Sequence, residues 1–423
     1  LSWNAASDSI SGLQKYRLQI DTNAIFSAPI VDSVVAGTVT TTSRTLAAND
    51  TYWWRIIAVD TATNTSTSAS NIIRIDTTTP SVVTQISPAN GLNTSAMAIT
   101  FTWNAASDSI SGVRKYRLQV DTQNIFSVLV ADSFTTATSQ AVTLATNDSY
   151  FWRVITEDSA GNMSVTASYT FRADNGAPSA PGLVLPAAGS DTSVTSILFT
   201  WTASADSSGI NGYRLQIDTT SAFMAPFIDS FTPLLTATRS VPANDSYFWR
   251  VIAIDNTLNT TASSFRSFRE DTTTPAVTAL IAPTTGHDTK NSTITFSWTS
   301  SSDSISGLEN HTLQIDTNPA FSSPIFVAAV ALGTSMQYAA APNDTYYWRV
   351  IARDSAQNTS VSESRIVRID SVPPSVASPV APSNGLNTSA LTVNFSWSAS
   401  TDTLSGVKNY RLQVDTANTF ASL

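Results

Sequence analysis

Residues 147–163 read Asn147-Asp148-Ser149-Tyr150-Phe151-Trp152-Arg153-Val154-Ile155-Thr156-Glu157-Asp158-Ser159-Ala160-Gly161-Asn162-Met163. Tyr150, Trp152 and Val154 alternate with Phe151, Arg153 and Ile155. A period of two over this length makes a half-buried β-strand, and the Asp-Ser-Ala-Gly-Asn that follows is turn chemistry. The pattern Asn-Asp-Ser/Thr-Tyr-x-Trp-Arg recurs from Asn49, Asn244 and Asn343, at spacings of 98, 97 and 99 residues.

Two other anchors keep the same beat. Trp3, Trp103, Trp201, Trp298 and Trp397 each precede an Asp-Ser/Thr…Ser-Gly stretch, at spacings of 100, 98, 97 and 99. Tyr-Arg-Leu-Gln-Ile/Val-Asp-Thr starts at Tyr16, Tyr116, Tyr213 and Tyr410, and reads His311-Thr312-Leu313-Gln314-Ile315-Asp316-Thr317 in the fourth copy. A period near 98 is the size of an independent domain, not of a small solenoid unit. The boundaries expected are a partial repeat over 1–76 that lacks its first strand, repeats over 77–174, 175–271 and 272–370, and an N-terminal half over 371–423. Leu1 aligns with Phe101 and Leu423 with Leu129, so the expectation is a slice of a much longer repetitive protein.

Within residues 80–175, Ile99/Phe101/Trp103 and Tyr116/Leu118/Val120 alternate with polar neighbours in the same way. Val82–Thr84, Val128–Val130, Ala141–Leu144 and Tyr169–Phe171 supply further short strands. Seven strands in about 98 residues, each with one apolar face, predict an all-β fold of two packed sheets. Nine of the ten Trp fall on two inward positions per repeat; Trp53 points outward by parity. Two buried Trp with several Val, Ile and Leu, at roughly 1.5–3 kcal/mol each, can stabilise such a module without disulfides.

These residues resemble a family. Trp103 on the second strand is similar to the core Trp of fibronectin type III modules. Leu144 followed by Tyr150 looks like that family's tyrosine corner. Tyr150 to Val154 with Asp158-Ser159-Ala160-Gly161-Asn162 is similar to modules of large bacterial and archaeal extracellular surface or filament proteins. The resemblance covers essentially the whole chain and implies a tandem array of seven-stranded fibronectin type III-like (immunoglobulin-like) β-sandwiches. It departs where Asn-Asp stands before the Tyr in place of a common Gly, and where Gly161 becomes Thr63, Leu258 or Gln357.

Composition narrows the function. The 423 residues include no Cys and two His, with a net charge of −9 and only 13 % charged residues. Disulfides, thiolate nucleophiles and cysteine metal sites are excluded, and His-based chemistry is disfavoured. No apolar run reaches 18 residues, so no membrane span is expected, and the acidic balance argues against nucleic acid. Ser and Thr together make 121 residues, yet 42 % hydrophobic content excludes a disordered tract. No catalytic constellation recurs, so no enzyme is expected.

Three features could carry function. Parity places Arg17, Arg55, Arg74, Arg117, Arg153, Arg172, Arg214, Arg250, Arg269, Arg349, Arg368 and Arg411 on the outer face of the third, sixth and seventh strands, 12 of 22 basic residues. This is a candidate lateral-contact face for carboxylates of a neighbouring chain or an acidic glycan; the alternative is that local acids and packed Arg stems account for it. N-x-Ser/Thr sequons occur at Asn49, Asn64, Asn93, Asn147, Asn162, Asn244, Asn259, Asn291, Asn310, Asn343, Asn358, Asn387 and Asn394, candidate acceptors of N-linked glycans or turn formers copied with the repeat. Asp76, Asp108 and Asp158 should converge where repeats meet, as should Asp174, Asp206 and Asp255, and Asp271, Asp303 and Asp354, with Asp370 and Asp402 following. Three carboxylates could hold Ca²⁺ or simply cap turns. Ile110, Ile305 and Leu404 at the loop tip, beside a Pro-anchored linker, suggest packed junctions. The resulting expectation is a structural, extracellular or cell-surface repeat protein that self-associates into a fibre, stalk or filament. The alternative is an adhesin or the spacer stalk of a glycan-binding protein.

Overall fold

The computed structural model describes residues 1–420; the last three residues of the expected fifth repeat lie outside them. Every regular element among the described residues is a strand. Among the described residues no helix is long and apolar enough to cross a membrane.

The second repeat shows the plan. Its strands are β1 (Gln85–Ser87), β2 (Leu92–Thr94), β3 (Ala98–Trp103), β4 (Val113–Asp121), β5 (Ala131–Thr135), β6 (Ser139–Thr143), β7 (Asp148–Asp158), β8 (Met163–Val165) and β9 (Tyr169–Ala173). One sheet has the order β6-β3-β1; the other has β5-β4-β7-β9-β2, with β8 also paired to β7. Neighbours are antiparallel except β2 on β9, where Phe171 faces Leu92 in a parallel register. The chain therefore changes sheets between β1 and β2. The third and fourth repeats have the same sheet orders.

Alternation delivers the core. Phe101, Trp103, Leu118, Val120, Tyr150, Trp152, Val154 and Phe171 are all buried between the two sheets. Phe101 meets Trp152 edge-on at 5.1 Å, and Trp103 meets Tyr116 at 5.6 Å, the geometry that ring quadrupoles favour. Trp53 lies half-buried on the outer side of its strand.

Two strands fall a few residues later than the alternation places them. The expected strand at Val128–Val130 is Ala131–Thr135, because Phe126 turns at φ 54° and the Val128 amide donates to Asp121 Oδ2. The first strand is Gln85–Ser87 rather than Val82–Thr84. Val83 still enters the core, and the Gln85 amide is buried with its Nε2 on the Trp152 carbonyl at 3.0 Å.

By compactness the chain forms two units, one of residues 1–180, 204–212 and 253–261, the other of residues 181–203, 213–252 and 262 onward. In the first unit, Leu13–Asp21, Val31–Ala36, Asp50–Asp60, Thr65–Thr67 and Asn71–Ile75 form one sheet. In the second, Pro379–Ala381 pairs with Ser396–Trp397.

Candidate functional site

The recurring polar machinery gathers where one repeat passes into the next. Strand Asn71–Ile75 ends the first repeat and Asp76 begins the linker. Asp76 Oδ1 accepts the Thr78 amide at 2.9 Å and the Thr78 hydroxyl at 2.6 Å, while Oδ2 accepts the Ser111 amide at 3.2 Å. Asp108 caps the β3–β4 loop, its Oδ1 accepting the amides of Ile110, Ser111 and Gly112 at 2.8–3.1 Å. Asp158, wholly buried, caps the β7–β8 turn by accepting the amides of Ala160 and Asn162 at 2.9 Å. Asn162 Nδ2 then donates to Asp158 Oδ2 at 2.8 Å and to the Asp76 carbonyl at 3.2 Å. The Asp-x-x-x-Asn spacing brings Asn back over Asp within one turn, which aims the amide at the preceding repeat.

The structure brings Asp76, Asp108 and Asp158 together, with one carboxylate oxygen of each within 4.8 Å of the others. Hydrogen bonds from the Thr78 hydroxyl and then Ser111 hold the Asp76 carboxyl down at about 2. The third junction repeats the arrangement. Asp271, Asp303 and Asp354 converge within the same limit, the Ser306 amide bridges Asp271 and Asp303 at 3.0 Å, and Asn358 Nδ2 reaches Asp354 Oδ2 and the Asp271 carbonyl at 2.9 and 2.8 Å. Burial works against the Asp271 anion, but donors from Ser306 and Thr273 outweigh it and its pKa is lowered. These two triads are the residues that could hold a hard cation, which takes six to eight oxygens. Their oxygens already accept N–H and O–H donors.

The second junction differs. Among the described residues, Asp174, Asp206 and Asp255 do not form such a group. The loop Asp206-Ser207-Ser208-Gly209 is one residue shorter than Asp108–Gly112. The Ser207 hydroxyl therefore takes Asp174 Oδ2 at 2.7 Å, and Arg172 Nη2 lies 3.6 Å from the same oxygen. The clamp persists: Asn259 Nδ2 reaches the Asp174 and Gly176 carbonyls at 2.8 and 2.7 Å, and Thr257 Oγ1 adds a bond to Asp174 O at 2.9 Å. At the fourth junction the Ser405 amide bridges Asp370 and Asp402. The loop-tip Ile10 of the first repeat is 96 % exposed, whereas Ile110 and Ile305 are partly covered.

Within each repeat the strand arginines share one sheet face, whereas Arg411, expected on a third strand, lies outside any strand; the structure gives most of the arginines partners at home. Arg117 forms a fork with Asp132 at 2.6 Å for both bonds; Arg17 pairs with Asp32 and Arg214 with Asp229 in the same way. Arg55, Arg153, Arg250 and Arg349 donate to Gln19, Gln119, Gln216 and Gln314. Each also lies over a Phe ring (Phe26, Phe126, Phe223 and Phe321) at 4.1–4.4 Å. Arg172 bonds Ser149, Arg269 forks onto Asp191, and Arg368 reaches Asp288. Arg74 and Arg411 lie exposed. The residue pattern carried a signal for the first set: in the fourth repeat Thr312 and Val327 replace the Arg and the Asp together.

The sequons divide by environment. Asn49, Asn147, Asn244 and Asn343 are exposed, and their Oδ1 accepts the linker amides of Thr77, Asn175, Thr272 and Ser371. Asn64, Asn93, Asn291, Asn387 and Asn394 are exposed as well. Asn310 is half-buried, and so are the clamp residues Asn162, Asn259 and Asn358, a role that the sequon pattern gave no reason to expect.

The tyrosine geometry decides the family resemblance. Tyr52, Tyr150, Tyr247 and Tyr346 open their long strands and each donates its hydroxyl back to a carbonyl four or five residues upstream, at Ala47, Thr146, Pro242 and Ala341, at 2.6–3.0 Å. With the two-sheet strand order, this is the tyrosine corner of the sandwich. The complete repeats have a fibronectin type III-like fold. No protein-family model matches the chain. It is 32 % identical over 217 residues to chitinase A1 of Niallia circulans, covering 48 % of this chain and 28 % of that protein. It is 28 % identical over 282 residues to exoglucanase B of Cellulomonas fimi, covering 62 % and 23 %. The chain thus spans about a quarter of the length of these relatives. Among solved structures, the fibronectin(III)-like modules of Clostridium thermocellum CbhA align with a TM-score of 0.32 at 15 % identity, over 45 % of this chain and 94 % of that one. The FN1–FN3 domains of chicken CNTN1 align with a TM-score of 0.28 at 18 % identity, over 69 % and 98 %.

Proposed function

We propose that this chain is a non-enzymatic, extracellular spacer built of fibronectin type III-like modules, serving as a stalk or fibre at a cell surface. One observation carries the reading. At three successive junctions a side-chain amide of one repeat grips the first carbonyl of the linker that leads into it, through Asn162, Asn259 and Asn358. A short linker held in this way resists bending and fixes the interval between modules. Chitinase A1 and exoglucanase B are enzymes by name, and the match covers only a minor part of each. That favours an accessory segment of a polysaccharide-directed protein over a self-assembling filament. Lateral association through the arginine face would have to displace Asp32, Asp132, Asp191 and Asp229 from their forks. Negative-stain imaging with small-angle scattering tests the reading. Separate threads with a constant increment per repeat support the spacer, regular lateral filaments support the fibre, and randomly bent chains overturn both.

A further inference from the structure

Asn162-Met163-Ser164, Asn259-Thr260-Thr261 and Asn358-Thr359-Ser360 are sequons whose acceptor nitrogen is also the clamp at the junction. We propose that these three amides are modification-sensitive latches: a sugar on Nδ2 and a closed junction exclude one another. The inference rests on the junction geometry and not on the spacer reading.

An Asn amide has two N–H groups. In Asn162 they serve Asp158 Oδ2 and the Asp76 carbonyl; in Asn358 they serve Asp354 Oδ2 and the Asp271 carbonyl. Asn259 Nδ2 has four acceptors within 2.9 Å. N-glycosylation forms a bond from Nδ2 to the anomeric carbon of a phosphate-activated sugar. The sugar–phosphate C–O bond breaks, the phosphate-bearing group leaves, and Nδ2 gives up one proton. One donor is therefore lost, and a hexose must occupy space where a linker carbonyl now lies about 3 Å away. The second recognition element of the sequon is engaged as well: the Ser164 hydroxyl bonds the Ser81 carbonyl at 3.4 Å, and Ser360 bonds that of Ala276 at 3.3 Å. By contrast Asn93 and Asn147 are exposed.

Two consequences follow. On the closed junction these acceptors should be shielded by at least about tenfold, the factor for one net hydrogen bond of about 1.4 kcal/mol. A chain modified before its junctions close should fold into intact modules with released linkers. The test incubates the whole chain with a soluble asparagine glucosyltransferase and UDP-glucose, either folded or unfolded in urea and diluted, and maps modified sites by mass spectrometry. Expected are rapid modification of Asn93 and Asn147 in both states, and protection of Asn162, Asn259 and Asn358 in the folded state alone. Hydrogen exchange on the refolded, glucosylated chain should then show faster exchange at Thr78, Ser111 and Ser306, with Leu118 and Val154 still protected. Modification of the clamp residues as fast as Asn93 on the folded chain overturns the latch. So does unchanged protection of Thr78 and Ser306 after glucosylation. Asn162→Gln with Asn358→Gln, which removes two acceptors, should leave Ser111 and Ser306 unaffected by the sugar treatment.

Discussion

The Arg117–Asp132 fork offers a quantitative test of whether the arginine face is held from within. Both bonds are 2.6 Å, but the two side chains are 37 % and 32 % exposed, so water screens the pair. A bidentate geometry places such a pair near the upper end for exposed ion pairs, about 1 kcal/mol. Arg117 also lies 5.3 Å from the Phe134 ring, which adds about 0.5 kcal/mol at an exposed site. Arg117→Thr should therefore cost about 1.5 kcal/mol. Asp132→Val should cost about 0.5–1 kcal/mol, because Arg117 stays solvated and Val suits a strand. The double variant, which carries the residues that the fourth repeat has at Thr312 and Val327, should cost less than the sum by about 0.5–1 kcal/mol. In 1 M salt that coupling should largely vanish, since charges are then screened within about 3 Å. Urea-dependent hydrogen exchange on peptides spanning Val113–Asp121 and Ala131–Thr135 reads the effect within this repeat. A coupling of zero at low salt would show that Asp132 does not hold Arg117, and the face would be free for an outside partner.

Other perturbations address the remaining parts. The Asp76 carboxyl, held near 2 against an ordinary 3.8, strengthens the first junction fully above about pH 4 and loses that contribution progressively as pH falls through about 2, so exchange at Thr78 and Ser111, taken relative to the intrinsic amide rate, should rise between about pH 4 and about pH 2; a flat ratio refutes the sign. If the triads hold calcium, millimolar calcium should slow exchange at Ser111 and Ser306 but not at Ser207, because among the described residues the first and third junctions, and not the second, bring three carboxylates within 4.8 Å; an equal response at all three rules out triad binding. Tyr346→Phe removes the 2.9 Å bond to Ala341 and should destabilise the fourth repeat by about 1 kcal/mol in chemical denaturation. Trp348→Phe should cost about 1–2 kcal/mol, below the range for large-to-small core changes, since the buried Trp348 Nε1 has no hydrogen-bond partner and its loss offsets part of the cavity.

Much of the fold could be read along the chain because alternation is local. Tyr150, Trp152 and Val154 must face one way whatever they face, and a period near 98 repeats that statement four times. A loop overrides alternation at one place: apolar Val128 and Val130 look like strand, yet Phe126 turns the chain first. At the junctions the Asp residues were visible as recurring turn acids. The clamp was not, because Asn162 resembles any turn Asn until Asp76, 86 residues earlier, is laid beside it.

The order of polar and apolar residues, a one-dimensional property, determined the sandwich class, the repeat length and the buried Trp and Tyr positions. Which partner each charge meets is a matter of register and of strands that adjoin only after folding. Arg117 finds Asp132 across a hairpin, Arg269 finds Asp191 across 78 residues, and Ser207 takes Asp174 because its loop is one residue short. A hydrogen bond forms over about 3 Å, a distance that separation along the chain does not encode, so the arginine face and the junctions took their character only from the packed structure.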